Sequence, residues 1–288
     1  MNRMRRLLVI SLWVVVAAPA TLWGQSPVDP NCTAGTSNAC VDWERGIAIS
    51  LGVGAPATWA KNAAQKNISA QRAARLDAAR NIIELIKGIN ITGTTSMKQA
   101  MVENDEIESS IQGRLAGIRA AGEPKYFSDG SVQVKIVANL REVVPQDLVY
   151  GAQSGPPKLL EGPLGSTSGS SLATSNAYTG LIVDARGTGV VPAMAPKIYD
   201  PDGREVYGSA YVSREWAISQ GVVGYLKDLE KAQGNDRVKG NPAIVKATEA
   251  TGANKADVVI SKVDADSLRA IAQTQSFLSE GRVLIVLD

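Results

Sequence analysis

PKYFSDGSVQVKIVANL, residues 124–140, is the stretch from which the fold is read. Val132, Val134, Ile136, Ala138 and Leu140 alternate with Gln133, Lys135 and Asn139, so one face of an extended segment is apolar and the other is wet. Ser128-Asp129-Gly130 supplies the turn chemistry that folds residues 124–127 back on this strand, and the unit reads as an antiparallel hairpin.

Working upstream, residues 46–53 alternate in the same way, with Ile47, Ile49, Leu51 and Val53 on one face and Gly52, Gly54 and Pro56 closing the strand. Ser69 reads as the N-cap of a helix carrying Leu76, Ala79, Ile83 and Ile86 on one stripe, with Gly88 at its C-terminal end and Arg80 placed to pair with Glu84. Ile107, Ile111, Leu115 and Ile118 mark a second helix over 105–119. Downstream, GAQSGPPKLLEGPLGSTSGSSLATSN at 151–176 presents no continuous apolar face and reads as a linker. Beyond it, strands are expected at 178–185 and 196–199, followed by an Asp200-Pro201-Asp202-Gly203 turn into 205–207. A helix is expected over 215–231, a strand over 256–263, and a buried central strand over 282–287. Strands and helices mix in both halves with hairpins present, which gives an α+β fold class. The expectation is two small α/β sandwich domains, each a largely antiparallel sheet packed with helices.

Arg3, Arg5 and Arg6 precede an apolar run ending near Trp23, the layout of a secretory signal peptide. Small residues allow cleavage after Ala20 or after Gly24, and Gly24 is adopted. The chain then divides into a signal peptide at 1–24, an N-terminal loop at 25–41, a first domain at 42–150, the linker at 151–176 and a second domain at 177–288. Cys32 and Cys40, the only cysteines, would meet an oxidising compartment after export, and a disulfide is expected between them. Removing the three signal arginines from the 30 Lys and Arg leaves 27 against 28 Asp and Glu. A near-neutral chain with both signs interleaved is a poor match for nucleic acid.

Histidine is absent from all 288 residues. That removes Ser-His-Asp and Cys-His nucleophilic sites, His-ligated zinc and imidazole proton shuttles. Gly165-Ser166-Thr167-Ser168-Gly169 has Thr where a nucleophile elbow needs Ser, and Gly187-Thr188-Gly189 lacks the rest of a phosphate-loop signature. Asp200 and Asp202 beside Gly203 read as a turn rather than a calcium loop, because the remaining ligands of such a loop are missing. No cofactor, metal or catalytic residue is assigned. A carboxylate pair cleaving envelope glycans is the hydrolytic mechanism that composition leaves open, and a module binding a small ligand is the other alternative. Trp43, Trp59, Tyr126, Phe127, Tyr211 and Trp216 are the candidate interaction surface if they cluster outside the core. The Arg72, Arg75, Arg80 row reads as a solvated helix face.

Asp42-Trp43, Gly46, Gly52-x-Gly54-x-Pro56, Arg72-Ala73-Ala74, Asp77-Ala78, Arg80-Asn81, Glu84, Gly88 and the Asp129-Gly130 turn carry a family resemblance. Over residues 42–141 the chain resembles the domain shared by the membrane-associated lipoproteins named after a twenty-kilodalton bacterial antigen and the N-terminal part of flagellar assembly protein T. Tyr178-Thr179-Gly180, the run at 184–187 and the run at 202–208 resemble the C-terminal extension of longer members, which carries no known activity. The resemblance implies a non-catalytic protein of the periplasm or outer-membrane periphery, in some members forming a ring around the flagellar basal body. Its expected partners are envelope proteins or further copies of itself. No lipid-attachment cysteine ends the apolar run, so membrane association is expected to be indirect.

Overall fold

The computed structural model describes residues 28–32, 34–151, 172 and 177–288. The signal segment, nearly all of the linker and the 165–169 run lie outside the described residues.

The first unit comprises β1 (Ala34–Gly35), β2 (Ala39–Asp42), β3 (Ile47–Gly54), α1 (Ala63–Lys87), α2 (Met97–Glu103), α3 (Asp105–Ala116), β4 (Lys125–Tyr126), β5 (Val132–Asn139), α4 (Leu140–Val143) and α5 (Gln146–Tyr150). Its sheet runs β1-β2-β3-β5-β4 with every neighbour antiparallel. The hairpin forms where the sequence places it: alternate residues of β5 from Val132 to Ala138 are buried, and Gly130 takes φ 82°. Asp129 tightens the turn by accepting hydrogen bonds from the Ser131 amide and hydroxyl.

β3 lies where it is expected, but its working face is the opposite one. Ala48, Ser50, Gly52 and Gly54 pair across from Ala138, Ile136, Val134 and Val132 and lie against α1. A Cβ on Gly52 would sit 2.2 Å from the Ala74 carbonyl oxygen, and one on Gly54 2.2 Å from that of Ala70. The helix therefore rests on bare strand backbone, which only glycine permits. That close approach is why the buried stripe of α1 is Ala70, Ala74 and Ala78 followed by Ile82 and Ile86, while Leu76 is 63% exposed. Ser50 Oγ donates to the Ala78 carbonyl at 2.9 Å, so the one polar group on this face is satisfied. Ile47, Ile49 and Leu51 cover the back of the sheet, where Val28, Cys32 and Cys40 pack on them. The expected Cys32–Cys40 disulfide is present.

α1 begins at Asn62, whose side chain accepts from the Gln65 amide. Ser69, expected as the cap, lies inside the helix and anchors the preceding loop by accepting from the Ala57 amide at 3.0 Å. Glu84 pairs with Lys87 rather than Arg80. α2, which the sequence reading leaves out, starts with a capping box formed by Ser96 and Gln99.

The second unit comprises β6 (Leu181–Asp184), β7 (Ile198–Tyr199), β8 (Glu205–Tyr207), a single 3-10 turn (Ser209–Tyr211), α6 (Arg214–Gln220), β9 (Gly224–Leu226), α7 (Leu229–Gly234), β10 (Ala243–Thr251), β11 (Asp257–Ile260), α8 (Lys262–Ala272) and β12 (Val283–Val286). Its sheet runs β8-β7-β11-β10-β6-β12-β9. The α+β class with two sheets holds, but this second sheet is mixed rather than largely antiparallel. β6 runs parallel to β10 and β12, β12 to β9 and β11 to β7, and only the β10–β11 and β7–β8 pairs are antiparallel. The physical reason lies in Leu181-Ile182-Val183 and Val283-Leu284-Ile285-Val286, continuous apolar runs rather than alternating ones. One face of these strands packs with Ala232 of α7 and the other joins the main core with Leu268 and Ile271 of α8, and strands covered on both sides suit parallel pairing. β12 is fully buried and paired on both edges, as expected of a central strand.

The helix expected over 215–231 is broken. Gly221, at φ 81°, ends α6, Val222 and Val223 lead into β9, and Asp228 caps α7. The strand expected over 256–263 stops at Ile260 because Ser261 caps α8.

The two units share one core and are joined through backbone. The loop after α1 enters the second unit: the Met194 amide donates to the Asn90 carbonyl at 3.0 Å and the Ala195 amide to the Ile91 carbonyl at 2.8 Å. The Asn254 amide donates to the Gly93 carbonyl at 2.8 Å, and the Gly93 amide to Asp257 Oδ1 at 3.2 Å.

Candidate functional site

A cleft of ≈ 430 Å³ opens where the two units meet. Five segments supply the side chains described next. The tight turn after β2 presents Trp43, because Asp42 accepts from the Arg45 amide and from Arg45 Nε at 2.7 Å and Gly46 takes φ 66°. Asn139 caps α4 by accepting from the Arg141 amide, which places Arg141 on the cleft wall. Tyr150 comes from the end of α5 and Tyr225 from β9. Arg237 follows α7, its amide donating to Asn235 Oδ1.

The two guanidiniums converge on one short segment. Arg141 Nη1 donates to the Ser219 carbonyl at 2.9 Å, while Arg237 donates to the carbonyls of Gln220, Gly221 and Gly281 at 2.8, 2.6 and 2.7 Å. These carbonyls belong to the end of α6 and its neighbourhood, where cationic donors satisfy the last unpaired acceptors of the helix. Burial pushes the Arg237 guanidinium below its ordinary value, and the charge of Arg141 pushes the same way. Burial also raises the Tyr150 phenol, which keeps its proton for donation. Trp43 meets Tyr225 edge to face at 5.6 Å, and the Tyr225 hydroxyl is committed to both backbone groups of Ala193.

The cleft also carries two carboxylates, Glu44 and Asp236, both exposed, with Asp236 3.6 Å from Lys239. The buried Asp200 spends its oxygens on the Asp202 and Arg204 amides, Arg204 Nε and Arg269 Nη2, so the 200–203 run is a turn braced by arginines.

The sequence candidates separate into three groups. Trp43 belongs to the cleft. Trp59, Tyr126 and Phe127 are exposed, Trp59 at 64%, and lie outside the cleft. The hairpin that carries Tyr126 and Phe127 touches α1 and the loop before it: Gln71 donates to the Tyr126 hydroxyl at 2.8 Å, and a Cβ on Gly130 would lie 3.3 Å from Pro56. Tyr211 is only 6% exposed and Trp216 is partly buried against the core, so neither forms part of that surface. The reason is shared, since the 3-10 turn and α6 pack these rings inward to close the core around Tyr207 and Val212. Sequence reasoning missed Arg141, Tyr150, Tyr225 and Arg237, which lie far apart in the chain and share no motif.

Fold and cleft together define a two-sheet α+β protein with an arginine-lined junction between its units. Residues 180–288 match the family model described as Treponema pallidum Tp0624, second domain. The match spans the second unit and leaves the first outside it. No curated protein matches the chain.

Proposed function

We propose that this is a non-catalytic exported protein of the bacterial envelope, a structural or adaptor component in the assembly of a periplasmic or outer-membrane-peripheral complex, with a flagellar complex among the options. The observation that supports the reading is the exposure of Trp59, Tyr126 and Phe127 on two segments that are each pinned to α1. Rigid aromatic side chains give large contact area at low entropic cost, which is why they anchor protein interfaces. The signal-like N-terminus and the resemblance of residues 42–141 to envelope lipoproteins agree with it. The test is cross-linking in the native envelope with the wild-type chain and a Trp59→Ser, Tyr126→Ser, Phe127→Ser variant. The expected result is a defined envelope adduct that the variant loses; the same adducts at the same yield from both chains would rule out this surface.

A small-ligand-binding role is the second reading, and the cleft favours it. The glycan hydrolase alternative would rest on Glu44 and Asp236, the carboxylates lining the cleft. Glycan cleavage abolished by Glu44→Gln or Asp236→Asn would put it first.

A further inference from the structure

We propose that the cleft between the units binds a small organic anion, its carboxylate or phosphate held between Arg141 and Arg237 and its flat apolar part against Trp43 and Tyr225. This goes beyond the adaptor reading and does not depend on it, because Trp59, Tyr126 and Phe127 are not part of the cleft.

Charge carries the argument. Among the described residues neither Arg141 nor Arg237 has a carboxylate within ion-pair distance, whereas Arg45 on the same wall is matched by Asp42 at 2.7 Å and Asp29 at 3.8 Å. Capping α6 explains why arginines stand here, but it does not explain two like charges side by side without an anion. Carbonyl acceptors satisfy hydrogen bonds and leave the charge in place. Each guanidinium has five N–H donors. Arg237 uses one on each of three carbonyls and Arg141 one on Ser219, so both keep N–H groups for a further acceptor. The depressed Arg237 records the cost of the arrangement, which an oxyanion in the cleft would remove.

The rest of the cleft fits the same ligand. Tyr150 adds a protonated hydroxyl, close to where Arg141 passes Gly221. Leu140, Met194, Val223 and Leu284 line the remaining wall with apolar surface. The volume falls within the range of about 300–1,000 Å³ usual for small-molecule sites. A planar guanidinium pair selects carboxylate or phosphate through two-point hydrogen bonding.

Titration calorimetry on the whole chain tests this with phenyl phosphate and benzoate, against benzyl alcohol and inorganic phosphate at constant ionic strength. One aryl anion should bind per chain, the better of the two deciding between phosphate and carboxylate. Benzyl alcohol should not bind, and inorganic phosphate should bind more weakly. Arg141→Met should weaken the aryl anion by on the order of tenfold or more, as expected for losing a charge-assisted hydrogen bond. Arg75→Met, on the exposed face of α1, should change nothing. Arg237→Lys keeps a cation but loses the fork, and should weaken binding similarly. Arg141 makes a single side-chain hydrogen bond, so its variant keeps the test valid if Arg237→Lys fails to fold. Absence of saturable binding by either aryl anion, or binding that Arg141→Met leaves unchanged, overturns the proposal.

Discussion

At the scale of single residues, Gly52 and Gly54 decide how the first unit packs. Their missing side chains let α1 rest on β3, and the alanines facing them follow from the same constraint. Gly52→Ala would drive a methyl into the Ala74 carbonyl and the Ala78 amide, both backbone and unable to turn away. It should cost about 1–3 kcal/mol, as overpacked cores do. Leu76→Ser should stay within about 0.5 kcal/mol, because an exposed helix position loses little on substitution. Urea unfolding of both variants checks the contrast, and a larger loss from Leu76→Ser than from Gly52→Ala would refute this packing. In the sequence the large residues of 46–53 draw the eye to the wrong face. Size indicates hydrophobic burial, while a helix lying on a strand at close range needs the smallest residues.

At the scale of elements, the antiparallel hairpin was legible because each strand keeps one wet face, and alternation is visible in a single sequence. The mixed sheet was less so. Leu181-Ile182-Val183 and Val283-Leu284-Ile285-Val286 announce burial on both sides, but not which strands pair or in what direction. β10, with polar residues scattered along its exposed half, and α8, starting directly after β11, left no boundary to read. The cleft was illegible for a further reason: its residues come from β2, α4, α5, β9 and the segment after α7, and their meeting is a product of topology. The cysteine pair was legible because Cys32 and Cys40 are the only cysteines of a chain with a signal-like N-terminus. The disulfide joins cysteines eight positions apart and holds Cys32 against the back of the sheet beside Ile49. Replacing both cysteines with serine should cost about 2–3 kcal/mol by the chain-entropy account. Denaturant midpoints with and without reductant check it: reduction should shift the wild type towards the variant and leave the variant unmoved.

At the scale of the whole molecule, the question is whether the two units behave as one body, and the loop around Gly93 answers it. Gly93 enters the second unit between the Asn254 amide and the Asp257 carboxylate, with no room for more than hydrogen at its Cα. A Cβ there would lie 2.1 Å from Asp257 Oδ2, and one on Gly252, itself at φ 84°, would lie 2.5 Å from the Gly93 carbonyl oxygen. Asp257 cannot easily move aside, because Oδ1 also accepts from the Lys197 amide at 2.8 Å. Gly93→Ala and Gly252→Ala should therefore undock the loop while leaving each sheet intact. Calorimetry should resolve two transitions in place of one, and small-angle scattering should show a larger radius of gyration. One sharp transition at lower temperature, with unchanged dimensions, would mean that the shared core holds the units together without the loop. The same junction has a pH signature whose sign is fixed. Burial raises the Asp257 carboxyl above its ordinary 3.8, so the unfolded chain releases this proton first. Its contribution to stability therefore declines as pH rises from 3.8 through the raised folded value, and the full cost is borne above that value. Asp257→Asn keeps an oxygen acceptor for both amides and carries no charge, so it should gain on the wild type across that window and run parallel to it above. Urea midpoints of the two chains from acid to neutral pH give the difference directly, and a gap that narrows as pH rises would place the origin of the shift elsewhere.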